Sequence, residues 1–443
     1  MKIALILPRA GIYRYKTGAF SRFIRYAPLT LTTLVSLVPE DISTDVHLYD
    51  EGIETVEKKN ILPDLVGLTA ITGASMRAYA YADYFRAQGI PVIMGGVHAT
   101  LMPHEAKAHA DAVITGPAYE TWPRALRDSV RGALQPFYHS DPHIDFSKIP
   151  NPDRLSLHRS HRKFITVNSI QAVFGCPNSC DFCVTPIVCN GYQHRPIKDV
   201  VREVASLRGK YFVFVDPSPI ENIAYATDLY RALIPLKKKW TGLATTRLAA
   251  HPELMNAMEE AGCKGLLIGF ESLSQASVNT IKKAFNRVSD YYHLVKELHR
   301  RGIAIMGCFV HGLDSDDKDC FKRTLEFVNN ANIDLPRFTV CTPFPGTPFF
   351  ASLKKDGRIL TEDWALYDAQ HVVFQPRHMS ADELHEGHHR VWREAYRLHS
   401  MVKRLACSQN FINAALLTNI AYRRYARKLP LYTQEVMLSD HLI

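Results

Sequence analysis

One pattern recurs through most of this chain: a short apolar run, a helical stretch, then another apolar run. In residues 1–135 the runs are KIALILP, STDVHLYD, PDLVGLTAITG, PVIMGGVHAT and DAVITG, each closed by glycine, proline or polar residues. Between them lie helical patterns such as ASMRAYAYADYFRAQG, which stops on a glycine where a helix C-cap wants one. Strands that alternate with helices run parallel and need both sheet faces covered. The first third of the chain is therefore expected to be a doubly wound α/β domain, with ligands at the C-terminal ends of its strands.

A polar stretch with three prolines, HSDPHIDFSKIPNPDRLSLH, follows at 139–158 and reads as a linker. The alternation then resumes with FITVNSIQAVF, YFVFVD, WTGLATTR, CKGLLIGFES, IAIMGCFVHG and PRFTVCTPF, separated by helical segments such as HPELMNAMEEAG. Six strand–helix units fit a barrel or partial barrel whose strand C-termini converge on one mouth. From about residue 376 the pattern turns helical and basic. The expected organisation is a first domain over 1–138, a linker over 139–160, a barrel over 161–355 and a C-terminal helical extension over 356–443.

Composition excludes several classes. At 443 residues, 47% hydrophobic and 22% charged, the chain reads as soluble and globular. Nine cysteines are too sparse, and odd in number, for a disulfide scaffold. The apolar run before Pro8 and Arg9 is too short for a signal-peptide core, and no window reaches the ~18 apolar residues of a spanning helix. The expectation is a cytoplasmic protein with reduced thiols free to bind metal. The net charge of +9 has its ordinary reading in a solvated basic surface. The excess gathers late, however, at Arg390, Arg393, Arg397, Lys403, Arg404, Arg423, Arg424, Arg427 and Lys428, around the apolar FINAALLTNIAY. A tail of that kind could lie on an anionic membrane surface. No nucleic-acid-binding module is recognisable, so a nucleic-acid partner is not expected.

The chemistry is concentrated in FGCPNSCDFC, residues 174–183. Cys176, Cys180 and Cys183 cannot complete the four-thiol set of a structural zinc site. Cys189 is the obvious fourth candidate, but a second CxxC-like knuckle is absent. An iron–sulfur cube normally takes four thiolates. Three would leave one iron with an open position, and an open position implies a ligand that reacts there.

The spacing CxxxCxxC, with Phe182 before the last cysteine and the loop placed after the strand FITVNSIQAVFG, resembles the signature of the radical S-adenosylmethionine (SAM) enzymes. The resemblance implies a partial (βα)6 barrel. It also implies that Cys176, Cys180 and Cys183 hold three irons of a 4Fe–4S cluster while the fourth chelates SAM. An electron from an external donor, a flavodoxin or ferredoxin, then cleaves SAM to a 5′-deoxyadenosyl radical that takes hydrogen from carbon. GFES (269–272) ends a strand with Glu271 at the mouth, and FVHGLDSD and TPFPGTPFF resemble the fifth and sixth strand ends. FVDPSPIEN (214–222) stands where the family has Gly-Gly-Glu, which carries the methionine-amino role to Asp216. Arg195, in GYQHRPIKDVVREV, resembles a loop arginine of these enzymes; its alternative is a surface or helix-start charge.

GGVHATLMPHEA followed by ADAVITGPAYETWPRAL resembles the cobalamin-binding domain that precedes many such barrels. The resemblance places Gly95, Gly96 and His98 at the cofactor, with Thr69, Thr72, Gly73 and Ser75 along its nucleotide tail. Two departures stand out. Gly116-Pro117-Ala118-Tyr119-Glu120 replaces the usual Gly-Glu-Gly-Glu, and DxHxxG is absent, so His47 reads as an ordinary strand residue and the cobalt's lower face as lacking histidine. Residues 356–399 resemble the extension of enzymes acting on hopanoids and bacteriochlorophyll intermediates. The HEGHH cluster at 385–389 reads as a solvated helix face rather than a metal site.

The implied activity is methyl transfer from a corrinoid to an unactivated carbon of a hydrophobic, lipid-like substrate. The alternatives are a cobalamin-linked radical enzyme that cyclises, contracts a ring or oxidises, and a non-catalytic corrinoid or redox sensor.

Overall fold

The computed structural model describes residues 1–10, 24–54, 56–160, 165–189, 191–406 and 412–438. Two parallel sheets dominate it. The first contains β1 (Lys2–Leu7), β3 (Asp45–Asp50), β4 (Leu65–Thr69), β5 (Val92–Gly95), β6 (Ala112–Thr115) and β7 (Phe137–His139), in the order β3-β1-β4-β5-β6-β7. Every adjacent pair is parallel. The chain moves outward from β1 to β3 and then returns to β4 on the other side, so the topological switch point lies between β1 and β4.

Both faces of this sheet are buried, as an all-parallel sheet requires. One face packs on the helix Ser75–Arg86, whose Ala78, Tyr79, Tyr81, Ala82 and Phe85 recur at helical spacing and are buried. The other packs on Trp122, Ala125 and Leu126 of the helix Thr121–Val130.

The second sheet contains β2 (Ile24–Tyr26), β8 (Ile165–Ile170), β11 (Tyr211–Phe214), β12 (Lys239–Ala244), β13 (Cys263–Glu271), β14 (Ala304–His311) and β15 (Arg337–Val340). Its order is β15-β14-β13-β12-β11-β8-β2, again all parallel. Six of these strands are the expected barrel units. The seventh, β2, comes from the N-terminal part of the chain and adds to the edge of β8. It is only three residues long, too short for an alternation to show. Outward-facing Ile268, Phe270, Ile305, Phe309 and Phe338 form a continuous core with the surrounding helices. The alternate residues Val213, Leu243, Leu267 and Met306 turn inward and are half-buried.

Two further short strands, β9 (Val173–Gly175) and β10 (Tyr192–His194), pair antiparallel beyond the end of β8. The three-cysteine loop is the excursion between them. After β15 the chain passes through an irregular segment and then the helices Ala381–Ala395, Leu398–Leu405 and Ile412–Leu438.

The expectation of a solvated HEGHH face is corrected here. His388 and His389 are buried, and only His385 and Glu386 of the cluster reach solvent. Leu384, Gly387, His388, Val391, Trp392 and Ala395 form the inward stripe of the helix. At Gly387 a β-carbon would run into the Phe321 ring, so this stripe sits directly on the helix Cys320–Asn330. Neutral imidazoles pack there as aromatic rings. His388 lies against His311, with 6.2 Å between ring centroids, and its Nε2 is 3.1 Å from Gln370 Oε1.

Candidate active site

Glycine at 175, with φ of +77°, turns the chain out of β9 into the cysteine loop. Three ties then hold the loop. The Asp181 amide donates to the Ile281 carbonyl at 3.2 Å, and the Phe349 amide donates to the Asp181 carbonyl at 3.0 Å. Lys282 Nζ pairs with Asp181 Oδ1 at 2.9 Å. Phe182 packs into an apolar cluster with Ile281, Val310, Leu313 and Phe374, which anchors the loop to the fourth to sixth barrel strand ends. That anchoring gives the aromatic residue before the last cysteine a structural reason.

Cys176, Cys180 and Cys183 are half-buried free thiols. Asn178 Nδ2 donates to Cys176 Sγ at 3.4 Å. Burial pushes the Cys180 thiol up to about 12, Lys283 pulls it down, and Cys183 and Cys176 add to the rise. Three half-buried thiols gathered on one short loop suit a polynuclear cationic centre, which would stabilise them as thiolates. Among the described residues no three His, Cys, Asp or Glu side chains converge on a single metal ion. A cube that takes one thiolate per iron does not ask them to. Cys189 sits at the end of the helix Thr185–Cys189, where burial pushes its thiol up to about 11 and the Gly175 amide bonds to it.

Glu271 ends β13 and adopts φ of +63°, a left-handed conformation costly for a side-chain-bearing residue and common at functional sites. Its Oε1 accepts from Lys283 Nζ, and both side chains are nearly buried. At Gly269 a β-carbon would overlap Glu271 Oε1 and press on Lys283 Nζ, so glycine there makes room for the pair. Burial alone would lower the Lys283 pKa; Glu271, Cys180 and Cys183 hold it above its ordinary value. Lys283 is thus a fixed cation between the thiol loop and a strand-end carboxylate. Asn286 Nδ2 donates to the Gly269 and Phe270 carbonyls at 2.9 and 3.0 Å and fixes the strand end behind the pair.

A second network closes the same rim. Arg247 Nε lies 3.1 Å from Glu221 Oε2, and its Nη2 reaches Asn178 Oδ1 at 3.4 Å. Lys283, Arg247, Glu221 and Asn286 were not singled out from the sequence. Their signal was faint: charged or amide side chains in the segments after strand ends, which describes many surface positions.

Asp216 and Arg195 lie beneath the loop. Asp216 is fully buried, and its Oδ1 accepts from the Ala172 amide at 2.7 Å and from the Val173 amide. Burial pushes its carboxyl up to about 7 against the pull of those two amides. It fixes the turn between β8 and β9. Arg195 Nη1 donates to the Gln171 carbonyl at 2.8 Å and to Glu203 Oε2 at 2.5 Å. The buried Glu203 also takes Arg154 Nη2 at 2.6 Å. Arg195 is therefore one arm of an Arg–Glu–Arg triad that braces the loop's base.

In the first sheet, Gly95 and Gly96 close β5. Gly96 has φ of +92°, and a β-carbon there would meet Thr69 Oγ1 at 2.6 Å, so β4 and β5 end in close contact. Thr72 and Ser75 are sealed, with Ser75 Oγ donating to the Thr72 carbonyl at 2.9 Å. Gly73 abuts the Tyr367 carbonyl and Asp368 of the extension. His98 turns into the helix layer: its Nε2 is 2.9 Å from Tyr79 Oη and 3.4 Å from Glu105 Oε1. His47 is exposed on the edge strand β3 and pairs with Asp45 at 3.0 Å.

The C-terminal edge of the first sheet faces the thiol loop. The helix Val97–Leu101 packs on Thr185–Cys189, immediately after the thiol loop. A β-carbon on Gly116 would lie 3.8 Å from the Val188 carbonyl, and one on Gly346, beyond β15, 3.6 Å from Leu101 Cδ2. The C-terminal ends of β5 and β6 thus abut the rim of the barrel mouth.

Residues 170–328 match the model of the radical SAM superfamily, which spans the thiol loop, Glu271 and Lys283. The chain is a radical SAM enzyme. It is 30% identical over 412 residues, covering 91% of this chain and 89% of the relative, to bacteriochlorophyllide d C-12(1)-methyltransferase of Chlorobaculum tepidum. It is 28% identical, over 78% of this chain and 80% of the relative, to the bacteriochlorophyllide d C-8(2)-methyltransferase of the same organism. The chain belongs to this family of radical SAM C-methyltransferases. Its fold is that of the methyltransferase TsrM from Kitasatospora setae, solved with cobalamin and a [4Fe-4S] cluster, with a TM-score of 0.68 at 16% identity over 97% of this chain and 99% of that one.

Proposed function

We propose that this enzyme transfers a methyl group to an unactivated carbon of a large, mainly apolar molecule, with a tetrapyrrole as the leading class. The observation that carries the proposal is the near end-to-end alignment, at 30% identity, with bacteriochlorophyllide d C-12(1)-methyltransferase. The inward-facing Val213, Leu243, Leu267 and Met306, half-buried and without charge, support an apolar substrate in the barrel.

With its cofactors bound, such a site supplies a 5′-deoxyadenosyl radical from the cluster and SAM, and a methyl group from cobalamin. The roles of the chain's own residues follow from their places. Cys176, Cys180 and Cys183 hold the cluster. Lys283 would offer an ammonium to the carboxylate of a bound SAM, and Glu271 would offer acceptor oxygens to its hydroxyl or ammonium hydrogens. Arg195, Glu203 and Asp216 keep the loop rigid from below. Gly95, Gly96, Thr69 and the uncharged Gly116-Pro117-Ala118 present a flat edge to the corrin. His98 is engaged with Tyr79 and Glu105, and His47 lies on the far edge strand, so a bound corrinoid would be held by the strand-end backbone rather than by either imidazole. Thr72, Gly73 and Ser75 act by shaping the loop under the extension.

We assign the chain to the cytoplasm, with an external flavodoxin or ferredoxin as reductant; the described cysteines are all free. No helix among the described residues is long and apolar enough to cross a membrane. The bilayer contact we assign to the basic tail is peripheral.

Anaerobic incubation of protein reconstituted with iron, sulfide and hydroxocobalamin, with SAM, a reductant and bacteriochlorophyllide d, tests the proposal. A pigment heavier by one methylene is expected. Cleavage of SAM with no methylated pigment would remove tetrapyrroles as the substrate class.

A further inference from the structure

The C-terminal helices end in a surface that the reaction does not use. On Leu398–Leu405 the inward residues are Met401, Arg404 and Leu405, while Leu398 and Val402 are 62% and 66% exposed. On Ile412–Leu438 the inward residues include Ala415, Asn419, Ala426 and Leu429, while Leu416, Leu417 and Ile420 are exposed. Five aliphatic side chains on two packed helices are thus turned toward water.

Hydrogen bonds fix where this surface lies. Lys403 Nζ donates to Asn330 Oδ1 at 3.2 Å and Arg404 Nη1 to Asn329 Oδ1 at 3.4 Å, both at the C-terminal end of the helix Cys320–Asn330. Asn419 Nδ2 donates to the Asp334 carbonyl at 3.0 Å, just before β15 begins. These contacts are at the N-terminal ends of the barrel strands, opposite the mouth.

Its charge selects the partner. Residues 398–434 contain six lysines and arginines and no aspartate or glutamate. Lys403, Arg424 and Arg427 are exposed, as are Arg393 and Arg397 on the approach. A second copy would bring like charges together. Single-stranded nucleic acid wants aromatic platforms, whereas the exposed apolar residues here are aliphatic. Aliphatic side chains ringed by cations suit an interface of acyl chains and anionic headgroups.

We infer that the closed end of the barrel is a docking surface for an anionic lipid bilayer, with Leu398, Val402, Leu416, Leu417 and Ile420 entering the headgroup region and Lys403, Arg424 and Arg427 on the phosphates. This deepens the peripheral contact named above and does not depend on the methylation reading. In this orientation the bilayer lies behind the barrel, and the mouth opens to the aqueous side.

The test is co-sedimentation of the full chain with vesicles of phosphatidylcholine alone or of phosphatidylcholine with phosphatidylglycerol. Binding is expected to the anionic vesicles at low salt, with release at high salt. The triple variant Lys403→Glu, Arg424→Glu, Arg427→Glu is expected to bind at least tenfold more weakly. Val402→Ser with Ile420→Ser is expected to weaken binding even at low salt. Both sets lie on the surface, and unchanged thermal melting and SAM cleavage show that the variants are folded. Wild-type protein that stays in the supernatant, or charge-reversed protein that sediments equally, overturns the inference. So does a dimer in sedimentation velocity that the serine variant dissolves, since the second copy would then be the occupant.

Discussion

Trp364 Nε1 donates to Glu105 Oε1 at 2.9 Å, joining the C-terminal extension to the first sheet's helix layer across 259 positions of sequence. The same carboxylate accepts from Tyr79 Oη at 2.9 Å, and His98 is beside it. The extension is therefore a clamp on the domain that carries Gly95 and Gly96, in addition to its packing on the barrel. Trp364→Phe keeps the ring and removes the donor. A hydrogen bond to a carboxylate contributes about 1.5–3 kcal/mol, so the variant is expected to melt several degrees lower and to lose hydroxocobalamin more readily on gel filtration. Unchanged retention would separate the clamp from the cofactor.

Lys283 is the residue on which SAM binding is expected to turn. Lys283→Met leaves Glu271 buried without its cation, a change of about 3–5 kcal/mol for a buried pair. Iron content is expected to persist while reductive SAM cleavage falls at least a hundredfold, with Lys283→Arg recovering part of it. Loss of iron in step with cleavage would instead make Lys283 a brace for the thiol loop.

Alanine at Cys176, Cys180 or Cys183 is expected to abolish the brown chromophore and all SAM cleavage, and Cys189→Ala to spare both. Cys189 is close enough to matter, because Cys183 and Cys176 both raise its pKa. If its loss also removes the iron, the centre has four thiol ligands and the open-iron chemistry does not apply.

Acid sensitivity follows from the buried imidazoles. Burial lowers His311 to about 3, and burial with His385 and Arg393 nearby lowers His389 to about 3. Below the ordinary histidine value of 6.5 the unfolded chain takes up protons that the folded chain refuses. Stability therefore falls as pH drops from 6.5 toward 3, by about 1.4 kcal/mol per histidine per pH unit. His371, raised by its Asp368 partner against burial, works in the opposite sense and offsets part of this. Thermal melting is expected to drop between pH 7.5 and 5.5, and less steeply in His311→Phe, where the new ring takes the stacking place against Phe338.

Much of this was legible in the sequence because local patterns carried it. Eleven apolar runs became strands, and the CxxxCxxC spacing marked a loop whose job depends on consecutive residues. What stayed hidden was set by tertiary contacts. The three-residue β2 is a strand only because β8 offers an edge. His388 and His389 look polar in sequence, yet a buried neutral imidazole packs like an aromatic ring. Lys283 gains its meaning from Glu271, twelve residues away on the neighbouring strand end. Asp216 and Arg195 were named from the sequence as cofactor contacts; their partners, the Ala172 and Val173 amides and Glu203, give them a bracing geometry that no motif encodes.

The most direct measurement is a count of products in one anaerobic turnover of the reconstituted enzyme with bacteriochlorophyllide d. Methylated pigment, 5′-deoxyadenosine and S-adenosylhomocysteine are expected in equal amounts, because one SAM gives the radical and a second gives the methyl group. Substrate consumption with 5′-deoxyadenosine but without S-adenosylhomocysteine or added methyl would contradict the account and make the enzyme a radical catalyst that does not methylate.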